Sequence, residues 1–313
     1  MKVLISDKAA KECKRKLEEF RGIEVVEKNG LDPASLLREV TGYEALIVRS
    51  ATKVTREVLQ AGKKLKVVGR AGAGVDNIDV KAAAELGIVV MNTPGGNSAA
   101  VAELTIALMF ALSRSISRAD AAMKQGQWLK KELEGRELGG KTLGLVGIGN
   151  VGAIVSRLAR AIGMNVLAYD PYVSADRARE VGAELSGLDA VLAGSDYLSV
   201  HVPKTKETGG LLNAAALSKA KRGMYLVNCA RGGIVVEKDL LGALESGQVA
   251  GAGLDVYDEE PPKDSALARH PRVVATPHIG AATEEAQVVV AVMIADQVGR
   301  YLTTGEAKNT VKG

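Results

Sequence analysis

KTLGLVGIGNVGAIVSRLARAIGMNVLAYD, residues 141–170, is the stretch that decides the fold. KTLGLVG at 141–147 is an aliphatic run that predicts a strand, Val151–Ile162 has helical spacing, and NVLAYD at 165–170 predicts a second strand. Gly147, Gly149 and Gly152 stand between strand and helix as G-x-G-x-x-G. A glycine triplet alone is a weak signal, but here each glycine has a task. The first allows a tight turn, the second lets backbone approach a pyrophosphate, and the third lets helix and strand pack closely. The helix N-terminus then offers unpaired N–H groups to phosphate oxygens. Asp170 closes the second strand 18 residues beyond Gly152, where a carboxylate accepts hydrogen bonds from an adenosine ribose. An acid at that place favours NAD over NADP, because a 2′-phosphate would meet it as a like charge.

Downstream, the strand pattern recurs at YLSVHVP (197–203), MYLVNCA (224–230), AGLDVY (252–257) and VVATPH (273–278), with helical or loop segments between. Upstream, VLI (3–5), IEVV (23–26), ALIV (45–48), LKVVG (65–69) and IVVM (88–91) alternate with helix candidates Lys8–Phe20, Asp32–Val40, Thr55–Ala61 and Val80–Leu86. That rhythm is βαβ, hence parallel sheet. The loop NTPGGNS at 92–98 precedes one long predicted helix, Ala99 to about Lys124, where the chain crosses between domains. The apolar helical segment Thr283 to about Leu302 is expected to return to the first domain. The fold class is therefore α/β with two doubly wound parallel sheets. A Rossmann NAD-binding domain would span 93–285, and a flavodoxin-like outer domain would combine 1–92 with 286–313.

Composition agrees. The 313 residues are 47% hydrophobic and 25% charged, which suits a soluble two-domain protein and excludes a disordered or fibrous one. With 35 glycines against two phenylalanines and one tryptophan, burial falls to small aliphatic side chains, the usual filling of strands between helices. The net charge of +4 is spread along the chain, and Lys8, Lys11, Lys14, Arg15 and Lys16 share their segment with Glu12, Glu18 and Glu19 as a solvated helix face. No nucleic-acid partner is expected. The longest apolar runs, Leu104–Leu112 and Val288–Ala295, fall far below the ~20 residues needed to span a bilayer, so no membrane partner is expected either. Cys13 and Cys229 are too few for a disulfide framework, and no apolar leader precedes the first strand, which points to the cytoplasm. Three histidines and no cluster at ligand spacing argue against a catalytic metal.

In an open parallel sheet, ligands bind beyond the carboxyl ends of the strands. Arg231 follows MYLVNCA, Asp255 and Glu260 follow AGLDVY's aliphatic part, and His278 follows VVATP. An imidazole is the natural proton acceptor near neutrality, a carboxylate beside it orients it, and a guanidinium fork matches a carboxylate. Beside a nicotinamide, these groups suit a substrate with a carboxylate next to a CH–OH, whose hydride goes to the cofactor and whose hydroxyl proton goes to His278. His270, before Pro271 in a polar loop, reads as a surface histidine, and His201, inside an apolar strand, as a hydrogen-bonded core or cleft residue. Cys229 lacks a neighbouring base and reads as a small residue beside the cofactor. Gly69, Gly72 and Gly74 in VGRAGAGVDNID also follow a strand, but the spacing lacks a third glycine and reads as a tight loop at the domain cleft.

VGIGNVG (146–152), YDPY (169–172), NCARGG (228–233), GLDVYDEEP (253–261) and TPHIGAAT (276–283) together resemble, in order and spacing, the NAD-dependent D-2-hydroxyacid dehydrogenases over nearly the whole chain. The resemblance implies an outer catalytic domain built from both chain ends, an inner NAD domain, and an active site in the cleft. It implies that Arg231 binds the substrate carboxylate, that His278 is the acid/base and that Glu260 hydrogen-bonds to it. Asp255 would contact the nicotinamide amide, Asn150 and Val151 the pyrophosphate, and Cys229 and Ala230 the nicotinamide. Val202, Pro203, Gly280 and Ala281 would complete the cofactor contacts. Many members carry a basic residue where Asn150 stands. Within the family, VRSAT (48–52), GRAGAGVDNID (69–79) and NTPGGNSAAVAE (92–103) look most like members acting on a phosphorylated acid, with Arg49, Ser50, Arg70, Gly72, Ala73, Asn97 and Ser98 in the substrate pocket. Trp128 matches a segment that crosses a homodimer interface. Members with C-terminal serine-sensing domains run past the position of Gly313, so feedback of that kind is expected to be absent. The alternatives are a glyoxylate or hydroxypyruvate reductase of the same family and a non-catalytic NAD-sensing protein.

Overall fold

The computed structural model describes residues 1–312. Two compact units emerge, Met1–Asn97 with the chain from Ala282 onward, and Ser98–Ala281. The division falls at 97/98 and 281/282, where the sequence suggested 92/93 and 285/286.

In the first unit, β1 (Lys2–Ile5), β2 (Glu24–Glu27), β3 (Ala45–Val48), β4 (Val67–Arg70) and β5 (Val89–Met91) form an all-parallel sheet in the order β2-β1-β3-β4-β5. That is the flavodoxin-like order, with its reversal between β1 and β3. The inner strands are buried on both faces, as ALIV at 45–48 demands. The helix Glu284–Thr304 lies on one face, capped by Thr283, whose hydroxyl accepts from the Ala286 N–H. Ile294 and Val298 press onto β4 so closely that a Cβ at Gly69 would stand 2.8 Å from each. Gly69 is therefore a strand residue that admits a helix, and the sequence reading of it as part of a tight loop is corrected. At the other side of the same helix, a Cβ at Gly299 would lie 2.4 Å from the Phe20 ring.

In the second unit, β6 (Thr142–Val146), β7 (Asn165–Tyr169), β8 (Glu184–Leu185), β9 (Tyr197–Val200), β10 (Met224–Asn228), β11 (Val249–Leu254) and β12 (Val273–Ala275) form a parallel sheet ordered β12-β11-β10-β9-β6-β7-β8. The order reverses between β6 and β9, the Rossmann switch point. The sequence predicted six of these strands. It missed β8, a two-residue edge too short to show an aliphatic run.

The long helix predicted over Ala99–Lys124 is two helices, Ser98–Ser113 and Ile116–Lys124, bent by 65°. The break has a tertiary cause. The Ser113 carbonyl accepts from the Arg136 N–H at 2.9 Å, its hydroxyl bonds back to the Met109 carbonyl at 2.6 Å and to the Tyr197 hydroxyl at 2.7 Å, and Ser115 turns left-handed at φ 49°. The stretch across the break, SRSISR at 113–118, holds neither Pro nor Gly, so no helix breaker marks it in the sequence. Among the described residues, no single helix is long and apolar enough to cross a membrane. Nor are three or more His, Cys, Asp or Glu side chains grouped to hold a metal ion.

Candidate functional site

The glycine loop leads from β6 into the helix Asn150–Ala161. Gly147 adopts φ +95°, and a Cβ there would lie 2.8 Å from Val202. A Cβ at Gly152 would stand 2.2 Å from the Gly147 carbonyl oxygen, so helix and turn touch backbone to backbone. Gly149 is the opposite case: it is exposed, and no described atom lies within 4 Å of where its Cβ would be. The open side of the loop is therefore the side to which the first N–H groups of the helix point. Asp170 directly follows β7, and its carboxylate accepts from Ile148 N and Tyr172 N, both at 3.0 Å, tying the end of β7 to the loop. These features fit a dinucleotide: backbone donors, a space with no Cβ, and an acid at the ribose position. Val202 and Pro203 follow β9 beside Gly147.

The loop after β10 is built on Asn228. Its side chain accepts from Ala230 N at 3.0 Å and donates to the Arg231 carbonyl at 3.0 Å. The turn is pressed against the chain after β11, since a Cβ at Gly232 would fall 1.8 Å from the Tyr257 carbonyl oxygen. Arg231 is half-buried, and its Nη1 donates to the Ala230 carbonyl at 2.7 Å. Cys229 is buried and its thiol is pushed up to about 12 by that burial, so it is no thiolate nucleophile.

Glu260 and His278 meet as the sequence suggested. His278 Nδ1 lies 2.6 Å from Glu260 Oε2, and Glu260 Oε1 accepts from Tyr257 N at 3.1 Å. The imidazole is 48% exposed, so its Nε2 edge remains open to a substrate. The residue itself is left-handed at φ 53°. Asp255, fully buried at the end of β11, holds that backbone in place: Oδ1 accepts from Thr276 Oγ1 at 2.6 Å and from Ile279 N at 2.8 Å, and Oδ2 from Gly280 N at 2.7 Å. Tyr257 completes the frame by donating to the Leu254 and Thr276 carbonyls. The acid at 255 thus already serves the loop 276–280. A Cβ at Gly280 would approach it to 3.0 Å, and Ala281 follows directly.

His201 directly follows β9 with Nε2 2.9 Å from the Ser199 hydroxyl, and burial pushes its pKa down to about 3, which keeps it neutral. His270 is a loop residue whose Nδ1 accepts from Arg272 N.

The first unit gathers its candidates at the carboxyl ends of β3, β4 and β5. Arg49 follows β3, and its Nη1 donates to the Lys8 carbonyl at 2.7 Å. Ser50 is exposed beside it. The Arg70 guanidinium folds over Gly72, whose φ is +145° and whose Cβ would coincide with it. Asn92 donates to the Ala73 carbonyl at 2.6 Å, tying that loop to the one ending in Asn97. Ser98 is buried at the start of its helix, in the second unit. The sequence missed the residue that shapes this end. Asp7, buried at the end of β1, accepts from Arg49 N at 2.6 Å, from Thr52 N, and from Thr52 Oγ1 at 2.6 Å, while Asn77 donates to the Arg49 and Thr52 carbonyls. Its place two residues beyond a strand was the available signal.

The glycine loop, Asp170 and the Arg231, Glu260 and His278 residues all lie at the carboxyl end of one Rossmann sheet, which defines a dinucleotide-binding protein equipped for proton transfer. Residues 106–280 match the family model described as D-isomer specific 2-hydroxyacid dehydrogenase, NAD binding domain. The chain belongs to the D-2-hydroxyacid dehydrogenase family. It is 50% identical over 299 residues to a D-3-phosphoglycerate dehydrogenase of Archaeoglobus fulgidus, an alignment covering 95% of this chain and 56% of that protein. A solved Thermus thermophilus protein superposes with a TM-score of 0.90 at 37% identity, covering 99% of this chain and all of that one. An NAD-bound 3-phosphoglycerate dehydrogenase of Entamoeba histolytica gives 0.84 at 31% identity, covering 100% and 99%. The chain spans a little over half the length of the curated relatives it matches.

Proposed function

We propose that the chain is an NAD-dependent dehydrogenase that oxidises D-3-phosphoglycerate to 3-phosphohydroxypyruvate, the first step of serine biosynthesis. The observation that carries it is the 2.6 Å His278–Glu260 pair, set beside the Arg231 turn on the same sheet end as the glycine loop. Bound NAD would accept the hydride from the substrate C2. His278 takes the hydroxyl proton at Nε2, because its Nδ1 proton is donated to Glu260. The rising positive charge on the ring is balanced by that carboxylate. Arg231 takes the substrate carboxylate with its guanidinium, carried on a backbone turn that the Asn228 side chain brackets. The 50% identity to a protein named for the phosphorylated substrate, together with Arg49 and Arg70 at the strand ends of the first unit, supports a phosphate on the acid. An acid/base pair kept in this geometry favours turnover over a purely NAD-sensing role.

The protein works as a homodimer in this reading. Phe110, Ile116, Met123 and Trp128 leave apolar surface exposed on and after the two bent helices, Trp128 at 75%. Two free, buried thiols suit a reducing cytoplasm. The test is NADH formation from D-3-phosphoglycerate, D-glycerate, D-lactate and D-malate, with phosphohydroxypyruvate, hydroxypyruvate and glyoxylate in reverse. Preference for the phosphorylated pair supports the reading, and preference for glyoxylate or hydroxypyruvate replaces the substrate. NAD binding without turnover on any of them overturns the enzyme. Light scattering tests the dimer.

A further inference from the structure

The bend after Ser113 leaves a cavity of about 260 Å³ at the amino ends of β10, β11 and β12, the end of the sheet opposite to Arg231, Asp255 and His278. Its walls are apolar at Leu112, Val273 and Val274, and Tyr225 forms a flat side. Two guanidinium groups line it, Arg118 from the short helix and Arg272 from the turn before β12, and no aspartate or glutamate does. Neither guanidinium has a side-chain partner among the described residues. Arg136 adds a third positive charge nearby, 5.8 Å from the centroid of the Tyr225 ring. Ser115 and Ser117 supply hydroxyls, and the Ser115 side chain makes no capping bond to the helix that follows.

What distinguishes these two arginines is that they share one concave wall whose lining holds no carboxylate. Elsewhere Lys16, Lys28, Arg56, Lys219 and Arg269 each sit against a carboxylate. Paired guanidinium forks match carboxylate or phosphate oxygens, and the aliphatic and aromatic walls suit a short carbon skeleton. The volume lies just below the range typical of drug-sized ligands, so it fits a small metabolite.

We propose that this cavity binds a small polyanion, a di- or tricarboxylate or a phosphate ester, at a site separate from the dehydrogenase residues. The proposal is independent of the substrate assigned above. The three strands that floor the cavity run straight into the loops of Asn228–Arg231, Asp255 and Thr276–His278.

The test is calorimetric titration of the intact protein with citrate, and in parallel with inorganic phosphate, at low ionic strength, with amide exchange followed by mass spectrometry to locate the ligand. Arg118→Ala/Arg272→Ala is expected to weaken citrate binding by about 10- to 100-fold, the loss of one or two charge-assisted hydrogen bonds. Arg231→Ala, which removes the substrate-carboxylate clamp, is expected to leave it unchanged. Exchange should slow over residues 114–119 and 270–274 in wild type only. Arg118→Lys/Arg272→Lys should recover part of the affinity. Citrate binding that survives the double alanine change, or that vanishes in Arg231→Ala without protection at 114–119, overturns the proposal. So does a double variant whose main effect is a change of oligomeric mass, because the arginines would then serve a protein contact.

Discussion

Two glycines three residues apart in the same loop should fail in opposite ways. At Gly149 an added methyl meets no described atom within 4 Å, and φ −65°, ψ −155° is open to any residue. The stiffer unfolded chain of alanine is worth about 0.4–1 kcal/mol, while alanine is a poorer N-cap than glycine by a similar amount. Gly149→Ala should therefore melt within about 2 °C of wild type, given 2–4 °C per kcal/mol for a unit of this size. At Gly152 the methyl would stand 2.2 Å from the Gly147 carbonyl oxygen, about 1 Å inside contact, between two backbone segments that cannot swing aside. Overpacking of that kind costs roughly 1–3 kcal/mol, hence a fall of about 2–12 °C. Both variants should bind NAD poorly. In Gly149→Ala the methyl occupies the approach of the pyrophosphate, and losing one or two backbone–phosphate hydrogen bonds weakens binding by about 10- to 100-fold. Differential scanning fluorimetry and NADH fluorescence titration read the two quantities. If Gly149→Ala binds NADH as wild type does, the loop is not the phosphate cradle, whatever its melting point.

His278→Ala should lower kcat by about 10²- to 10⁴-fold with NAD affinity nearly intact, and Glu260→Gln should lower it less, since it keeps the hydrogen bond and loses the charge; an unchanged rate in His278→Ala removes it from the chemistry. Arg49→Ala should raise KM for the phosphorylated acid with little change in kcat, and an unchanged KM assigns the phosphate elsewhere. Asp7→Asn should destabilise by about 2 kcal/mol, because one buried N–H loses a charged acceptor at Arg49 or Thr52; urea denaturation that matches wild type would refute that role. His201 is neutral in the folded protein down to about pH 3 but titrates near 6.5 when unfolded. Its contribution to stability is therefore complete above pH 6.5 and is lost as pH falls toward 3, with a slope of up to about 1.4 kcal/mol per pH unit. His201→Gln should flatten urea-measured stability between pH 6 and 4, and an unaltered slope would show that the histidine is not buried against protonation.

The glycine loop and the α/β order were legible in the sequence because they rest on local causes. An aliphatic strand, a turn that tolerates no Cβ and an amphipathic helix are each specified by residues a few positions apart. Parallel topology then forces residues after the strands to one sheet end, which is why Arg231, Glu260 and His278 stand out in the sequence alone. What local pattern lacks is partnership over distance. The helix break at Ser115 depends on Arg136 and Tyr197, side chains and peptides far along the chain that take up its last carbonyl and hydroxyl. Asp255 was expected beside a nicotinamide, yet only the tertiary structure revealed both its oxygens spent on the Thr276 hydroxyl before His278 and the Ile279 and Gly280 N–H groups after it. Asp7 and Asn228 were invisible for the same reason: a carboxylate or amide after a strand looks alike whether it meets solvent or two backbone groups. The sequence by itself determined which elements form and at which sheet end chemistry collects, through periodicity and glycine sterics. Only the tertiary structure decided which polar side chains are spent as scaffolding and which remain for a ligand, because that depends on the burial and hydrogen-bond partners that folding brings together.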